Sequence, residues 1–240
     1  RDPFVGGNGL LMSLPPGKKI WLNDKSEWVA KFWTWIRDDP NCIDKIMRRK
    51  EILSGITEET AARSFFTDCK IRFREQYNPL DYLSINLWAV SAIVTPRRRD
   101  IASFSSLLTR DKWNAISEHK IQAYHERLQG SKITCGDYSV LLNAPGKNVW
   151  IFADPPYLLK DHKFPIYHHN FTREDHEELA RLLKKCKHNW FLTVGDSEFS
   201  ERLYAGYPMR RRLYKNTMTH RHRNTNIAEK NRTELWIMNG

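Results

Sequence analysis

Cysteine is scarce in this sequence. Four cysteines occur in 240 residues, and no two of them stand at a spacing that suits a metal site: Cys42, Cys69, Cys135 and Cys186. Scattered cysteines argue against a disulfide framework and against a zinc site, and they are typical of reduced thiols in a cytosolic setting. We therefore expect a cytoplasmic protein without a bound metal.

Long apolar runs are also missing. No stretch approaches the roughly 20 apolar residues that cross a bilayer, and no secretory signal is visible. The sequence contains no internal repeat and no low-complexity segment. These features predict a protein without a membrane partner, long enough for one large domain or for one domain with an insertion.

Acidic residues are fewer than basic residues. The chain has 28 Asp and Glu against 39 Lys and Arg, which gives a net charge of +11 and a pI near 9.5. A surplus of positive charge favours a polyanionic partner such as a nucleic acid, although a merely basic surface has the same composition. The surplus is concentrated at Arg97-Arg98-Arg99 and in residues 210–232, where eight basic residues accompany one acidic residue.

The pattern of apolar residues predicts an α/β fold. Alternating or continuous apolar runs predict strands, and helical spacing predicts helices. The predicted strands are 19–24, 132–135, 149–153, 190–194 and 233–238, and the predicted helices are 27–36, 58–76, 82–93, 111–129 and one beginning near 172. This order is typical of a Rossmann-like, mainly parallel sheet with helices on both faces. Asn78-Pro79 interrupts it, so we predict a catalytic domain of residues 1–77 and 132–240 and an inserted, mostly helical lobe of residues 78–131.

The most informative motif is Asp154-Pro155-Pro156-Tyr157, which follows the apolar strand 149–153. Ligands of open α/β sheets bind outside the carboxyl ends of the strands. Proline holds φ near about −65° and has no N–H, so this rim offers a carboxylate, a fixed carbonyl and an aromatic ring. These groups suit a planar substrate with an exocyclic amine, such as a nucleobase, whereas the simpler alternative is a rigid loop end.

A glycine-rich turn and an acidic residue form a second candidate binding site. The turn Gly6-Gly7-Asn8-Gly9 precedes a helical start, and Asp24 ends a strand 18 residues after Gly6. In nucleotide-binding folds such a turn lets a ligand approach the backbone closely. An acidic residue about 20 residues later accepts hydrogen bonds from the ribose hydroxyls. Taken separately, a tight turn and a helix N-cap explain the two features. Together they predict an adenosine-bearing ligand.

Four segments resemble, in chain order, the successive motifs of the Dam-like, D12 class DNA N6-adenine methyltransferases. They are Asp2-Pro3-Phe4-Val5-Gly6-Gly7, Asn23-Asp24, Gly136-Asp137 and Asp154-Pro155-Pro156-Tyr157. Residues 171–176 and 230–235 resemble the helix start after the catalytic motif and the closing strand of the family, so the resemblance spans nearly the whole chain. It implies S-adenosylmethionine as methyl donor, and transfer to N6 of an adenine flipped out of duplex DNA.

The resemblance also implies roles for individual residues. The implied catalytic residues are Asp154 and Pro155, which would accept from N6, together with Pro156 and Tyr157, whose ring would stack on the base. The implied donor-binding residues are Asp2, Phe4, Gly6, Gly7, Asp24, Asp137 and Asp154. The predicted DNA-binding residues are Arg97, Arg98, Arg99, Arg221 and Arg223. No metal is implied, and we expect a monomer or a weak dimer.

Several alternatives stay open at this level. Phe4 is equally typical of a core position, Gly136-Asp137 of an ordinary turn, and each arginine cluster of a solvated face. The acceptor motif also serves N4-cytosine and RNA N6-adenine methyltransferases, and a catalytically silent nucleic-acid binder could use the same scaffold. Family members carry a donor-binding segment before the first motif, and none precedes Arg1, so either the chain continues upstream or donor binding is incomplete.

Overall fold

A computed structural model of the chain describes residues 1–89, 102–104, 115–158, 171–215 and 231–240. The strands in this part are β1 (Trp21–Asp24), β2 (Lys132–Cys135), β3 (Trp150–Ala153), β4 (Asn189–Gly195), β5 (Met209–Lys215) and β6 (Asn231–Met238). The helices are α1 (Glu27–Asp38), α2 (Cys42–Ser54), α3 (Glu59–Glu75), α4 (Pro79–Trp88), α5 (Glu118–Leu128), α6 (Ser139–Asn143), α7 (Arg173–Lys185) and α8 (Glu198–Leu203), with a 3₁₀ turn at Leu11–Ser13. None of these helices is long and apolar enough to cross a membrane.

The N-terminal segment joins two groups of strands. Strands β1 and β2 pair in parallel, and the second group has the order β3-β4-β6-β5. The Asp2 amide donates to the Trp21 carbonyl at 2.9 Å, and Asp2 forms a parallel bridge with Leu22. On its other side, the Arg1 carbonyl accepts from the Phe152 amide at 2.9 Å. The strands therefore follow one another as β2, β1, N-terminal segment, β3, β4, β6 and β5.

This order is that of a doubly wound sheet. We number the strands along the chain, with the N-terminal segment as 1 and β1 to β4 as 2 to 5. They then lie side by side in the order 3-2-1-4-5, which is the order of dinucleotide-binding folds. Strand β6 runs antiparallel to β4 and to β5. The mixed α/β class is therefore as predicted, with a parallel part and an antiparallel edge. The order reverses between the N-terminal segment and β3, and ligands bind at such a switch point.

Helices cover both faces of the sheet. On one face, α7 packs its Leu179 and Leu183 against core residues of β3 and β4. Helix α7 begins with a capping box in which Thr172 and Asp175 satisfy each other's backbone N–H groups, as the sequence indicates. Around β1 the opposite face is covered by α1, whose Trp33 and Ile36 lie in one cluster with Leu22.

In the described part of the chain, five helices, α1 to α5, lie between β1 and β2. Helices α2, α3 and α4 share an apolar cluster that includes Leu53, Phe66, Phe73, Ile85 and Trp88. Helix α4 contacts α3 extensively, so the predicted boundary at residue 78 falls between two helices with a common core. The division of the chain into a catalytic domain and an inserted lobe stays a prediction.

The observed elements differ from the predicted ones in several places, and the short helices α6 and α8 were not predicted. Helix α4 ends at Trp88, because Ala89 is extended and bridges Phe104. Helix α5 begins only at Glu118, where the Ser117 hydroxyl caps it. Helix α2 and strand β5 were not predicted, since most of their residues are charged or polar and give weak periodic signals.

Candidate active site

Asp154 leaves the carboxyl end of β3 with its two oxygens in different surroundings. Its Oδ1 accepts from the Thr193 hydroxyl at 2.5 Å and from the Tyr157 hydroxyl at 3.0 Å. Its Oδ2 has no hydrogen-bond partner among the described residues. Desolvation by the surrounding protein raises the pKa of Asp154, while the bonds from Thr193 and Tyr157 act in the opposite direction. The carboxyl group is thus held through one oxygen and open through the other.

The two prolines also differ in how their carbonyls are used. The Pro156 carbonyl accepts from Nε2 of His176 at 3.1 Å, so this nitrogen carries the proton. Burial lowers the pKa of His176 to about 4, and the ring is therefore neutral near pH 7. The Pro155 carbonyl has no partner among the described residues. Asp154 and Pro155, which are adjacent in the chain, consequently each have an acceptor oxygen without a partner in the described part of the chain.

The glycine turn meets the predicted acid. The Gly6 amide donates to Oδ2 of Asp24 at 3.0 Å, and the Ser26 amide donates to Oδ1 at 2.8 Å. The Gly6 carbonyl accepts from the Trp33 indole at 2.9 Å. A Cβ built on Gly7 would have no atom within 4 Å, so the turn is open beside this residue. The structure therefore brings Gly6, Gly7 and Asp24 together at the switch point.

Asp2 lies between the two other carboxylates of the site. It is 4 % exposed, and its Oδ1 accepts from the Phe4 amide at 3.1 Å. Burial raises the pKa of Asp2 to about 7, and the charges of Asp154 and Asp24 contribute in the same direction. Three carboxyl groups thus converge where the chain leaves the N-terminal segment, β1 and β3. A cationic ligand would relieve their mutual repulsion.

Phe4 and Asp137 have structural partners of their own. The Phe4 ring packs on Tyr138 with centroids 5.1 Å apart and on Phe171 at 5.7 Å. Asp137 accepts from the Ser139 amide at 2.9 Å at the start of α6, as an ordinary turn residue does. It follows β2, whose neighbour β1 carries Asp24, so it lies at the same edge of the sheet. Their roles in donor binding stay predictions.

The predicted DNA-binding arginines Arg97, Arg98, Arg99, Arg221 and Arg223 lie outside the described residues. Part of the second basic cluster is described on β5. Arg211 pairs with Asp196 at 3.2 Å and also with Glu201, and Arg212 lies 5.4 Å above the Trp236 ring. Arg210, Arg211 and Arg212 are all exposed. Among the described residues, no cluster of His, Cys, Asp or Glu could hold a metal ion.

Two residues at the site were missed by sequence reasoning. Thr193 is a polar residue in the apolar strand β4, and it follows Leu192, the register partner of Ala153. His176 is a polar residue on the buried face of α7, with Leu179 and Leu183 one and two turns further on. A polar side chain on an otherwise apolar face was the available signal in both cases.

A doubly wound sheet with a glycine turn and an Asp-Pro-Pro-Tyr rim at its switch point is typical of methyltransferases that act on amino groups. Comparison with known families makes the assignment specific. The profile of the D12 class N6 adenine-specific DNA methyltransferase family matches residues 1–221, and the chain belongs to this family. The resemblance to this family is thereby confirmed, and the protein is an adenine-specific DNA methyltransferase.

Two curated proteins are similar over most of the chain. Type II methyltransferase M.MjaIII of Methanocaldococcus jannaschii is 23% identical over 233 residues, which cover 88% of this chain and 78% of that protein. Type II methyltransferase M1.LlaDCHI of Lactococcus lactis subsp. cremoris is 21% identical over 224 residues, covering 86% and 75%.

Proposed function

We propose that this chain transfers a methyl group from S-adenosylmethionine to N6 of an adenine flipped out of duplex DNA, and that Asp154 and Pro155 receive the amine. The proposal rests on two acceptor oxygens that lack hydrogen-bond partners in the described part of the chain. Oδ1 of Asp154 is held by Thr193 and Tyr157, whereas Oδ2 and the Pro155 carbonyl have no partners among the described residues. An exocyclic amine has two N–H groups for two such acceptors.

The chemistry requires positioning and polarisation of the amine. The N6 lone pair is conjugated with the purine ring and is a poor nucleophile. Hydrogen bonds from N6 to Oδ2 of Asp154 and to the Pro155 carbonyl would direct the lone pair out of the ring plane, which is catalysis by orientation and electrostatics. Because desolvation raises the pKa of Asp154, this carboxylate is suited to take the proton that N6 loses on methylation.

Tyr157 would supply the stacking surface. Its hydroxyl is fixed on Asp154, and a Cβ built on Gly195 would lie 3.8 Å from Tyr157 Cβ, so the residue rests against β4. A ring held in this way can stack on a flipped base and offset a few kcal/mol, in order of magnitude, of unstacking cost. His176 keeps the rim in place through the Pro156 carbonyl.

The residues of the glycine turn fit the methyl donor. S-adenosylmethionine supplies an electrophilic methyl group on a sulfonium, and it carries two positive charges near the amino-acid end. The carboxyl groups of Asp2, Asp24 and Asp154 complement these charges. We infer that Asp24 also accepts hydrogen bonds from the ribose hydroxyls, since the Gly6 and Ser26 amides hold its carboxylate at the glycine turn.

Substitution of Asp154 tests the proposal. We expect Asp154→Ala to abolish methyl transfer and to leave the affinity for duplex DNA within about twofold, because Asp154 acts on the amine and not on phosphates. The measurements are transfer of labelled methyl groups to an adenine-containing duplex and a DNA titration of the same variant. Transfer at the wild-type rate by Asp154→Ala would refute the assignment.

Donor cross-linking decides between this function and a silent DNA binder. A catalytically silent relative should not take up S-adenosylmethionine, so photo-cross-linking of labelled donor to the wild-type chain would reject that alternative. Absence of cross-linking with retained DNA binding would support it.

We also propose a role in site modification, because both relatives are named Type II methyltransferases. Digestion of DNA from expressing cells with methylation-sensitive nucleases tests this role and identifies the target sequence. DNA that every such nuclease cuts as it does control DNA would oppose it.

A further inference from the structure

His176 contacts the acceptor rim from the first turn of α7. It is 5 % exposed, and its Nε2 donates to the Pro156 carbonyl at 3.1 Å. The capping box of Thr172 and Asp175 fixes the start of α7, and the His176 amide donates to the Thr172 carbonyl at 3.1 Å. A polar ring on the buried face of a helix needs a hydrogen-bond partner, and His176 has this partner in the rim.

Aromatic rings restrain the imidazole of His176. The Phe171 ring meets it edge-on, with centroids 4.7 Å apart and an interplanar angle of 89°, and the Phe199 ring of α8 lies at 6.5 Å. Phe171 in turn packs on Phe4 and Tyr138, at 5.7 and 5.9 Å. Edge-to-face packing of this kind is favourable and directional, so the imidazole is held with Nε2 directed at the rim.

The backbone of the rim has one soft torsion angle at Pro156. Each peptide unit is planar, and the pyrrolidine ring fixes φ of Pro156 near about −65°. The angle between the Pro155 carbonyl and the peptide that leads into Tyr157 therefore depends on ψ of Pro156. Neither proline has an N–H group that could hold the backbone. A hydrogen bond to the Pro156 carbonyl sets ψ instead, and in the described part of the chain His176 donates it.

We propose that His176 is a positioning residue for methyl transfer, an inference that rests on the proposed function. By holding the Pro156 carbonyl, it sets the direction of the acceptor carbonyl of Pro155 relative to the stacking ring of Tyr157. Asp154 is held from β4 through its Oδ1. The two acceptors of the amine are thus oriented from different elements, one from the sheet and the other from α7. His176 acts through the backbone of the rim and not on the amine itself.

The experiment varies the reach of an N–H donor at position 176. Glutamine places its amide nitrogen close to the position of Nε2, whereas asparagine carries the same amide on a side chain one methylene shorter. We expect His176→Asn to lower the single-turnover rate of methyl transfer about 10- to 100-fold, as misplacement of a reacting group does. His176→Gln should keep a rate close to that of the wild type. The KM for S-adenosylmethionine should change in neither variant.

The rate is measured as transfer of labelled methyl groups to unmethylated genomic DNA, at saturating donor and DNA. His188 provides the matched control, because its Nε2 also bonds to a backbone carbonyl, that of Ala144 at 2.8 Å. It precedes β4, at the end of the sheet opposite to the rim, so His188→Asn should leave the rate unchanged. His176→Leu removes the donor and suits the aromatic surroundings. It should show the same loss as His176→Asn, and it serves if the asparagine variant does not fold.

The outcomes separate this inference from the function it rests on. Equal losses in His176→Gln and His176→Asn would show that the packing of the ring matters and not its N–H group, and would overturn the inference. A wild-type rate in His176→Asn or His176→Leu would overturn it too, as would a change confined to the KM for the donor. In all these cases methyl transfer by the wild-type chain would leave the proposed function standing. If the wild-type chain transferred no methyl group to DNA, the proposed function itself would be wrong.

Discussion

Asp154 is fixed by hydrogen bonds that leave one of its oxygens available. The Thr193 bond, at 2.5 Å, is the shorter of the two bonds to Oδ1, and it comes from the neighbouring strand β4. Since β3 and β4 are in parallel register, Thr193 holds the carboxylate from a rigid element. In the proposed mechanism, the direction of this carboxylate is therefore set before the substrate arrives.

Thr193→Val tests this role. We expect kcat to fall about 10- to 100-fold, because a hydrogen bond to a charged group is worth about 1.5–3 kcal/mol and valine keeps the side-chain shape. The measurement is the steady-state rate of methyl transfer. Thr67→Val is the matched control, because the Thr67 hydroxyl donates only to the Arg63 carbonyl on an exposed part of α3. Equal rates in the two variants would remove Thr193 from the mechanism.

Asp2 gives the stability of the protein a defined pH dependence. Its pKa is about 7 in the folded protein against 3.8 as its ordinary value, so between about pH 4 and pH 7 the folded state binds more protons than the unfolded state. Its contribution to the free energy of unfolding is therefore fully present below pH 4, falls as the pH rises to 7, and is constant above.

Asp2→Asn removes this dependence because asparagine is neutral at every pH. We expect the variant to gain stability over the wild type as the pH rises from 4 to 7, by at most about 1.4 kcal/mol per pH unit. Urea unfolding at a series of pH values measures the difference. Asp68→Asn, which changes an exposed carboxylate on α3, should follow the wild-type curve. Parallel curves for Asp2→Asn and wild type would show that Asp2 is ionised throughout.

At the scale of elements, a buried charge joins α2, α3 and α4. Asp81 on α4 is 1 % exposed, and it accepts from Arg49 of α2 at 3.0 Å and from Arg72 of α3 at 2.8 Å. Burial acts to raise the pKa of Asp81, but the bonds from Arg72 and Arg49 outweigh it and lower the pKa. The stabilisation is therefore present at neutral pH and is lost as the pH falls through the lowered pKa.

We expect Asp81→Ala to lower the free energy of unfolding by about 3 kcal/mol or more, since it leaves two cations without their buried partner. Urea denaturation followed by circular dichroism measures it. Glu178→Ala breaks the exposed pair with Arg181 on α7 and should lower the free energy of unfolding far less, because solvent screens this pair. A cost for Asp81→Ala as small as that of Glu178→Ala would mean that the helices do not depend on this charge.

The helices and strands that could be predicted are those in which apolar residues alternate with polar ones or recur at helical spacing. Helix α7 has its apolar stripe and its capping residues within 14 residues of sequence, 172–185, so local information suffices. Strand β5 contains three successive arginines, and it is a strand because β6 pairs with it from Met209 to Lys215. Its structure is set by a partner strand that follows residues 216–230.

At the scale of the whole molecule, the net charge of +11 matches a polyanionic substrate. We expect simultaneous replacement of Arg97, Arg98 and Arg99 by alanine to change the preferred methylation site, because arginine reads guanine bidentately in the major groove. Methylation of a randomised duplex library, read by sequencing, measures the preference.

The matched control removes the same charge from Lys184, Lys185 and Lys187. These exposed lysines lie before β4, at the end of the sheet opposite to the acceptor rim. If the arginine variant changed only the affinity and its salt dependence, the three arginines would contact phosphates and not bases.

The sequence by itself determined the described strands other than β5, their terminal motifs and the family, because apolar periodicity and short motifs are properties of neighbouring residues. Only the tertiary structure placed the N-terminal segment between β1 and β3, and with it Asp2 beside Asp24 and Asp154. It also brought Thr193 to Asp154 across 39 residues and His176 to Pro156 across 20. These contacts follow from the order of the strands in the sheet, which is set by packing between distant segments and not by local residue preferences.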